Sequence, residues 1–440
     1  MLKMVIEQSD TDILTAHSGL ALVGACINRY TSLGATLGKT GGRKGRISDF
    51  DVLASYSGLL CLGKSDFEAI DGRQHDDFFA QALDIDTVPS KETLRQRMDD
   101  YATEMSKKID KANVELIHRA DAKITSLDTG HVPLDIDVFP MDNSNTKKEG
   151  VSWTYHNHDG FAPISSYLGK EGWCMEIELR PGCQHSQKDF IPFLHRVIKK
   201  ARKLTSKKII VRLDSGHDAI ETRVELSGDR KISYIVKWNP RKVDRSYWQA
   251  KAFAEGKVTS PREGKRVAVF TVYERQEHDG KTYQFRRVIR VTERTIDKGG
   301  QRLLVPDIEV EGWWTNLSLP EEKVIRLYRD HATSEQFHSE FKTDLDLERL
   351  PSGKFATNQL VMTLATLAYN ILRFVGQTGL LGDVSPVRHP AKRRRIRTVI
   401  QELMCLASRL IRTGRRLKMK FGRICDGFAT FNLVYNHILT

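Results

Sequence analysis

The hydrophobic pattern of this chain changes period once, near Val132, and that change limits the folds open to it. Upstream, Leu94, Met98, Tyr101 and Met105 recur at helical spacing behind Val88-Pro89-Ser90, where Ser90 offers an N-cap and Glu92 a first-turn acid. Ser48 to Cys61 carries the same texture. Downstream, Val132 to Phe139, Ala162 to Leu168, Trp173 to Leu179 and Lys208 to Leu213 read as strands, with a basic helix from Phe190 to Leu204 before the last of them. Strands in a row, then a helix and another strand, predict a mixed α/β core rather than a sandwich. A second tract, with strands at Tyr234 to Trp238, Val267 to Arg275, Tyr283 to Glu293 and Leu303 to Val310, has a hairpin turn at His278-Asp279-Gly280-Lys281. It reads as a mostly β insertion, after which the core resumes at Trp313-Trp314-Thr315-Asn316-Leu317. Asn358 to Val375 is apolar almost all round and predicts a buried helix.

A chain of 440 residues is too long for one compact core. The pattern divides it into a helical N-terminal domain (1–125), the first part of a mixed α/β core (126–222), the β-rich insertion (223–312), the second part of the core (313–380) and a basic helical C-terminal region (381–440). In the first, a helix-turn-helix-like module competes with a plain helical bundle, and Arg95 and Arg97 project away from the apolar stripe. In the last, Lys392 to Arg397 and then Arg409, Arg412, Arg415, Arg416, Lys418 and Lys420 make a basic face suited to DNA backbone. The net charge of +13 points the same way, to a polyanionic partner. Membrane attachment is not expected: Glu7 interrupts the N-terminal apolar stretch, and no apolar run spans a bilayer. Six cysteines without a C-x-x-C pair argue against structural zinc and for a reducing, cytoplasmic setting. Gly34 to Thr40 imitates a phosphate loop, but its two glycines stand one residue too close and no strand precedes it.

Tyr328 to Lys342 is the most informative stretch. As one helix it aligns Tyr328, His331, Glu335, His338 and Lys342 on one side, with Phe337 and Phe341 on another. A phenol, a carboxylate and an ammonium in line suit metal and phosphate. Carboxylates elsewhere could join Glu335. Asp135 and Asp137 lie two apart in an apolar strand, where acids are costly to bury, and Asp214 ends the strand Ile209 to Leu213. Acids inside a first strand, just past a later one and on a helix give the layout of an RNase H-like nucleotidyl-transfer core. Such a core holds two divalent ions roughly 3.5–4 Å apart.

On these residues the chain resembles the DDE transposases of bacterial insertion sequences, in the group marked by the signature Y-(2)-R-(3)-E-(6)-K. Tyr328, His331, Glu335 and Lys342 reproduce its spacing, with His331 in place of the arginine and Arg329 two residues earlier. L-D-I-D-V-F-P-M-D-N-S, V-R-L-D-S-G and W-W-T-N-L match the flanking motifs, and the long tract between Asp214 and Glu335 matches the subgroup with a β insertion there. The resemblance spans about residues 48–375.

The resemblance implies that Asp137, Asp214 and Glu335 are the catalytic, metal-binding triad, with Asp135 the competitor for first place and Asp142, in Asp142-Asn143-Ser144, a third option. Phe139 stands where the family has a small or hydroxylic residue. It further implies that Tyr328, His331, Lys342 and Arg329 contact phosphates, while Trp313 and Trp314 are offered either to an unpaired base or to the core. Two Mg²⁺ ions, replaceable by Mn²⁺, would be the cofactor. The partners would be double-stranded DNA, as terminal inverted repeats and target, and a second copy of the chain in a synaptic homodimer; the setting would be the bacterial nucleoid. A metal-dependent nuclease without strand transfer and a non-catalytic DNA-binding derivative remain as alternatives.

Overall fold

A computed structural model of the chain describes residues 4–38, 47–241, 243–330, 333–414 and 416–440. Nine strands form the central sheet: β1 (Val132–Val138), β2 (Ile164–Leu168), β3 (Trp173–Glu178), β4 (Ile209–Leu213), β5 (Ile232–Lys237), β6 (Lys257–Arg262), β7 (Lys265–His278), β8 (Lys281–Ile296) and β9 (Arg302–Thr315). The principal helices are α1 (Leu20–Tyr30), α2 (Asp49–Cys61), α3 (Lys91–Arg119), α4 (Phe190–Leu204), α5 (Ile220–Ser227), α6 (Arg245–Glu255), α7 (Glu321–Arg329), α8 (Thr333–Ser339), α9 (Phe355–Gly379) and α10 (Phe428–Leu439).

The sheet runs in the order β6-β7-β8-β9-β5-β4-β1-β2-β3. Strands β1, β2 and β3 are antiparallel neighbours; a short turn joins β2 to β3, while a longer connection carrying a small three-stranded sheet joins β1 to β2. By contrast β4 lies parallel to β1, and β5 parallel to β4. Parallel pairing requires a crossover, and α4 and α5 supply the two crossovers. The β-rich tract is not a body apart from this sheet. Its last strand, β9, pairs with β5 through Trp313–Lys237, Trp314–Val236 and Thr315–Ile235, so β6 to β9 extend the sheet at one edge. The expected segment 223–312 therefore includes β5, which pairs with the core strand β4.

Helix α9 is buried along nearly its whole length, as its composition predicts, and it touches α3, α2 and β3. It is long and apolar enough to cross a membrane by length and composition, yet almost all of that apolar window is covered by protein. A helix apolar on every side needs cover on every side, and that requirement joins the N-terminal helices to the sheet. One apolar cluster runs from Leu20 to Ile438 with no break at residue 125. Helix α2 is buried at every residue from Phe50 to Cys61, so it presents no face to a DNA groove. A polar tie crosses this core: Asn370 on α9 donates to Asn113 Oδ1 on α3 and to the Cys174 carbonyl on β3, both at 2.7 Å, and accepts from the Cys174 N–H at 3.0 Å.

Two expectations fail at the C-terminus and around the signature. Ser408–Thr413 and Arg416–Phe421 form a β-hairpin rather than a basic helix, and Ile13–Thr15 adds a third strand. The alternation of Leu417, Met419 and Phe421 with Arg416, Lys418 and Lys420 wins over the three- and four-residue arginine spacing, and Gly414 supplies a positive φ of 55° at the turn. Arg415 lies outside the described residues. Tyr328 to Lys342 is not one helix either. Helix α7 ends at Arg329, α8 begins at Thr333, and Glu340–Asp344 follows as a wide π turn. Of the imitation phosphate loop, Leu33–Thr36 is a short helix, and Lys39 and Thr40 lie outside the described residues.

Candidate active site at the strand ends

The parallel register matches Asp135 to Arg212 and Ile136 to Leu213. Continuing it by one residue brings Asp137 and Asp214 to the same edge of the sheet, on strands about 4.8 Å apart. Period-2 geometry puts Asp135, Asp137, Arg212 and Asp214 on one face. Their environments differ sharply. Asp135 accepts from Arg212 Nε at 2.6 Å and Nη2 at 2.7 Å, with both side chains buried, and Arg212 also donates to the Leu327 carbonyl of α7 at 2.7 Å. That bidentate pair ties β1, β4 and α7 together and is structural. Asp135→Asn is accordingly expected to lower stability by about 1.5–3 kcal/mol, the range for losing a hydrogen bond to a charged group. A chemical denaturation midpoint equal to that of the parent would show the pair to be dispensable.

Asp214 lies at the mouth, with its side chain 44% exposed. It caps the 3₁₀ turn Ser215–His217, its Oδ1 accepting from the Gly216 N–H at 3.1 Å and meeting His217 Nδ1 at 2.7 Å. His217 is fully buried against Phe190, 4.4 Å between ring centres, so this contact fixes the carboxylate's orientation. Asp137 is half-buried and its Oδ1 accepts from the Val138 N–H at 2.8 Å. Two phenols register the shared field of these acids. Burial raises the Tyr328 phenol above its usual range, and Asp214 and Asp137 raise it further. Tyr155 is raised by desolvation at its hydroxyl end, which donates to the Val138 carbonyl at 3.0 Å, and then by Asp137 and Asp214, although 61% of the residue is exposed. Asp142, by contrast, closes a turn onto the Ser144 N–H at 2.8 Å, a bond that holds its carboxyl below the usual range.

Glu335 is exposed on α8. One turn later His338, buried, meets Ser165 Oγ of β2 at 3.1 Å and stacks on Phe139 at 4.6 Å. Ser165 is the register partner of Asp137. The helix carrying Glu335 is thus docked on the strand pair carrying Asp137. Phe337 packs under it against Tyr167 and over Gly172, where a Cβ would come within 2.1 Å of the ring.

The remaining expected site residues divide. Tyr328 faces the two aspartates from α7. Lys342 donates to the Pro140 carbonyl at 2.9 Å and pairs with Glu348 at 3.0 Å, just past the end of β1. Arg329, exposed, is 3.9 Å from Glu311. His331 lies outside the described residues. Trp313 and Trp314 are 1% and 2% exposed, packed under Lys237 and under Arg223 and Arg287, so neither can stack on a base. They are buried because β9 pairs inside the sheet, with β8 on one side and β5 on the other. Arg97 pairs with Asp49 at 3.1 Å and donates to the Ile47 carbonyl, which makes it an internal tie; Arg95 is exposed on α3. Sequence reasoning missed Tyr155 and His217. His217 follows Asp214 by three residues and could have been found as its i+3 partner; Tyr155 gives no such signal, since only the turn Thr154–His158 brings it back to β1.

Two carboxylates leaving adjacent strand ends offer the hard oxygen donors that Mg²⁺ or Mn²⁺ takes. Among the described residues, no three His, Cys, Asp or Glu side chains gather closely enough to form a metal-holding group. The donor chemistry of the aspartate pair fits a divalent ion, and a third ligand would come from α8.

A mixed sheet with acids at its parallel strand ends and a third acid on a docked helix defines a class of candidate metal-dependent phosphodiester enzymes. The Transposase DDE domain group 1 family matches residues 47–440, and the chain belongs to that family. No curated protein sequence matches it. Among solved structures it is similar to a piggyBac transposase synaptic complex with hairpin DNA, at 11% identity over 90% of this chain and 82% of that one, with a TM-score of 0.39, a likeness too slight to carry any part of the reading below.

Proposed function

We propose that this transposase-family chain binds the inverted-repeat ends of an insertion sequence, cleaves the phosphodiester there and joins the freed 3′-hydroxyl to target DNA. The observation that supports the reading is the parallel register of β1 and β4, which ends at Ile136–Leu213 with Asp137 and Asp214 next in line, together with the anchoring of the Glu335 helix through His338 to the strand beside Asp137. The order β3-β2-β1-β4-β5, with three antiparallel strands followed by two parallel ones, supports an RNase H-like core. Asp137, Asp214 and Glu335 would hold two Mg²⁺ ions. Bound there, such ions supply an activated attacking oxygen and charge neutralisation at the leaving one. The protein's own part is placement. His217 holds the Asp214 carboxylate in one orientation, and His338 holds α8 against β2. Tyr328, neutral at working pH, can offer its hydroxyl to a phosphate oxygen beside the acids, while Tyr155 donates its own to the Val138 carbonyl. Lys342 and the exposed Arg329 can contribute positive charge to the same backbone, and the net charge of +13 favours approach of DNA. Pairing of two ends would make the working form a homodimer, in the cytoplasm with the nucleoid.

Supplying pre-cut element ends with Mg²⁺ and a target plasmid is expected to yield joined products. Nicking of intact ends without any joining would favour the nuclease alternative. Absence of Mg²⁺- or Mn²⁺-dependent nicking on any DNA would leave a binding protein only.

A further inference from the structure

The basic tract Lys392 to Arg397 looks in sequence like a DNA-backbone contact, yet part of it is turned inward, onto the helix that carries Glu335. Arg393, little exposed, donates from Nη2 to Gln336 Oε1 at 2.5 Å and from Nη1 to Glu340 Oε1 at 3.4 Å, and its guanidinium lies 4.3 Å from the Phe337 ring centre. Arg395 reaches Ser339 Oγ at 3.0 Å, Thr343 Oγ1 at 2.9 Å and Asp344 Oδ2 at 2.8 Å. Between them Arg394 points the other way and is buried, donating to the carbonyls of Leu380, His389 and Val387 at 2.8–2.9 Å. Its own carbonyl accepts from Arg373 of α9 at 2.7 Å. The tract is therefore fixed to the core at its middle residue and grips α8 and the π turn with the residues on either side. The following amides complete the grip: Ile396 N–H donates to Glu340 Oε1 at 3.2 Å and Arg397 N–H to Asp344 Oδ2 at 3.1 Å.

A seven-residue helix is too short to hold itself in water, and each residue turns the helix by about 100°. The direction in which Glu335 points is set by whatever holds its neighbours. We propose that Arg393 and Arg395 are positioning residues: they form a strap that fixes the rotation of α8 and so aims the Glu335 carboxylate at Asp137 and Asp214. The exposed Lys392 and Arg397 of the same tract are left to meet solvent or DNA. The proposal rests on the assignment of Glu335 as the third acid.

The test compares the metal-free full chain with its Arg393→Ala, Arg395→Ala and doubly substituted variants, using Lys392→Ala and Arg397→Ala as controls. Amide hydrogen exchange over residues 335–344 is expected to quicken at least about tenfold in the double variant, the opening of a helix whose tertiary ties are removed. Mg²⁺-dependent cleavage should fall about 10–100-fold, the usual cost of losing groups that orient metal ligands. Affinity for end DNA should stay within about twofold, because only two of many cations are lost. Unchanged exchange overturns the strap, as does a loss of DNA affinity that matches the loss of cleavage, or quickened exchange with undiminished cleavage. If alanine at 393 prevents folding, Arg393→Gln keeps part of the stem over Phe337 and is read in the same way. Should exchange quicken while Glu335→Ala cleaves as well as the parent, the grip on α8 stands and the catalytic assignment of Glu335 fails instead.

Discussion

Asp214→Ala is expected to reduce end cleavage by about 10²–10³-fold, the scale of removing one preorganised electrostatic contact from a transition state, while changing affinity for end DNA by less than about twofold. The side chain is 44% exposed, and its contacts include the Gly216 N–H and His217. Its removal leaves His217 buried against Phe190, so a modest loss of stability accompanies the loss of activity. Glu335→Ala should match it in cleavage and cost less stability, because Glu335 is exposed. Cleavage and binding measured together decide the matter. Variants that lose binding and cleavage in proportion would show these acids shaping the DNA surface rather than the chemistry.

The largest stability effect is expected at Glu340, a residue that sequence spacing does not single out. Its carboxylate, 1% exposed, pairs with Arg373, itself 1% exposed, and accepts from Tyr369 Oη at 3.1 Å, Arg393 at 3.4 Å and the Ile396 N–H at 3.2 Å. Glu340→Ala leaves the Arg373 guanidinium buried opposite a missing charge, which costs about 3–5 kcal/mol where a buried pair is broken from one side. Joint replacement, Glu340→Leu with Arg373→Met, should recover only part of that loss: it removes both charges' desolvation penalties but leaves the Tyr369 hydroxyl, the Ile396 N–H and the Arg394 carbonyl without these partners. Thermal and denaturant midpoints of the two variants check this, and a Glu340→Ala variant as stable as the parent would show that water reaches the pair.

Those two sites illustrate what a linear reading can and cannot reach. Asp137 and Asp214 were legible because an acid in an apolar strand is conspicuous wherever it sits. Spacing alone does not separate Asp137 from Asp135, which share a face; what the sequence does not show is the Arg212 guanidinium bound to Asp135, brought there by the parallel register of β1 and β4. Trp313 and Trp314 were ambiguous because burial depends on the strands beside them, and β9 turned out to be interior. The C-terminal arginines were misread as a helical face because three- and four-residue spacing and strict alternation overlap in a short basic segment; the hairpin's pairing with Ile13–Thr15 resolves it.

The sequence by itself determined the mixed α/β class, the buried helix α9 and the acids in their strand and helix settings, because each of these follows from local periodicity and from the cost of burying charge. Only the tertiary structure decided that β6 to β9 extend the core sheet, that Tyr328 to Lys342 is broken into α7, α8 and a π turn, and that Arg393 and Arg395 grip α8. Those outcomes depend on which partner a side chain meets across long sequence separations, and no periodicity in a single segment encodes a partner.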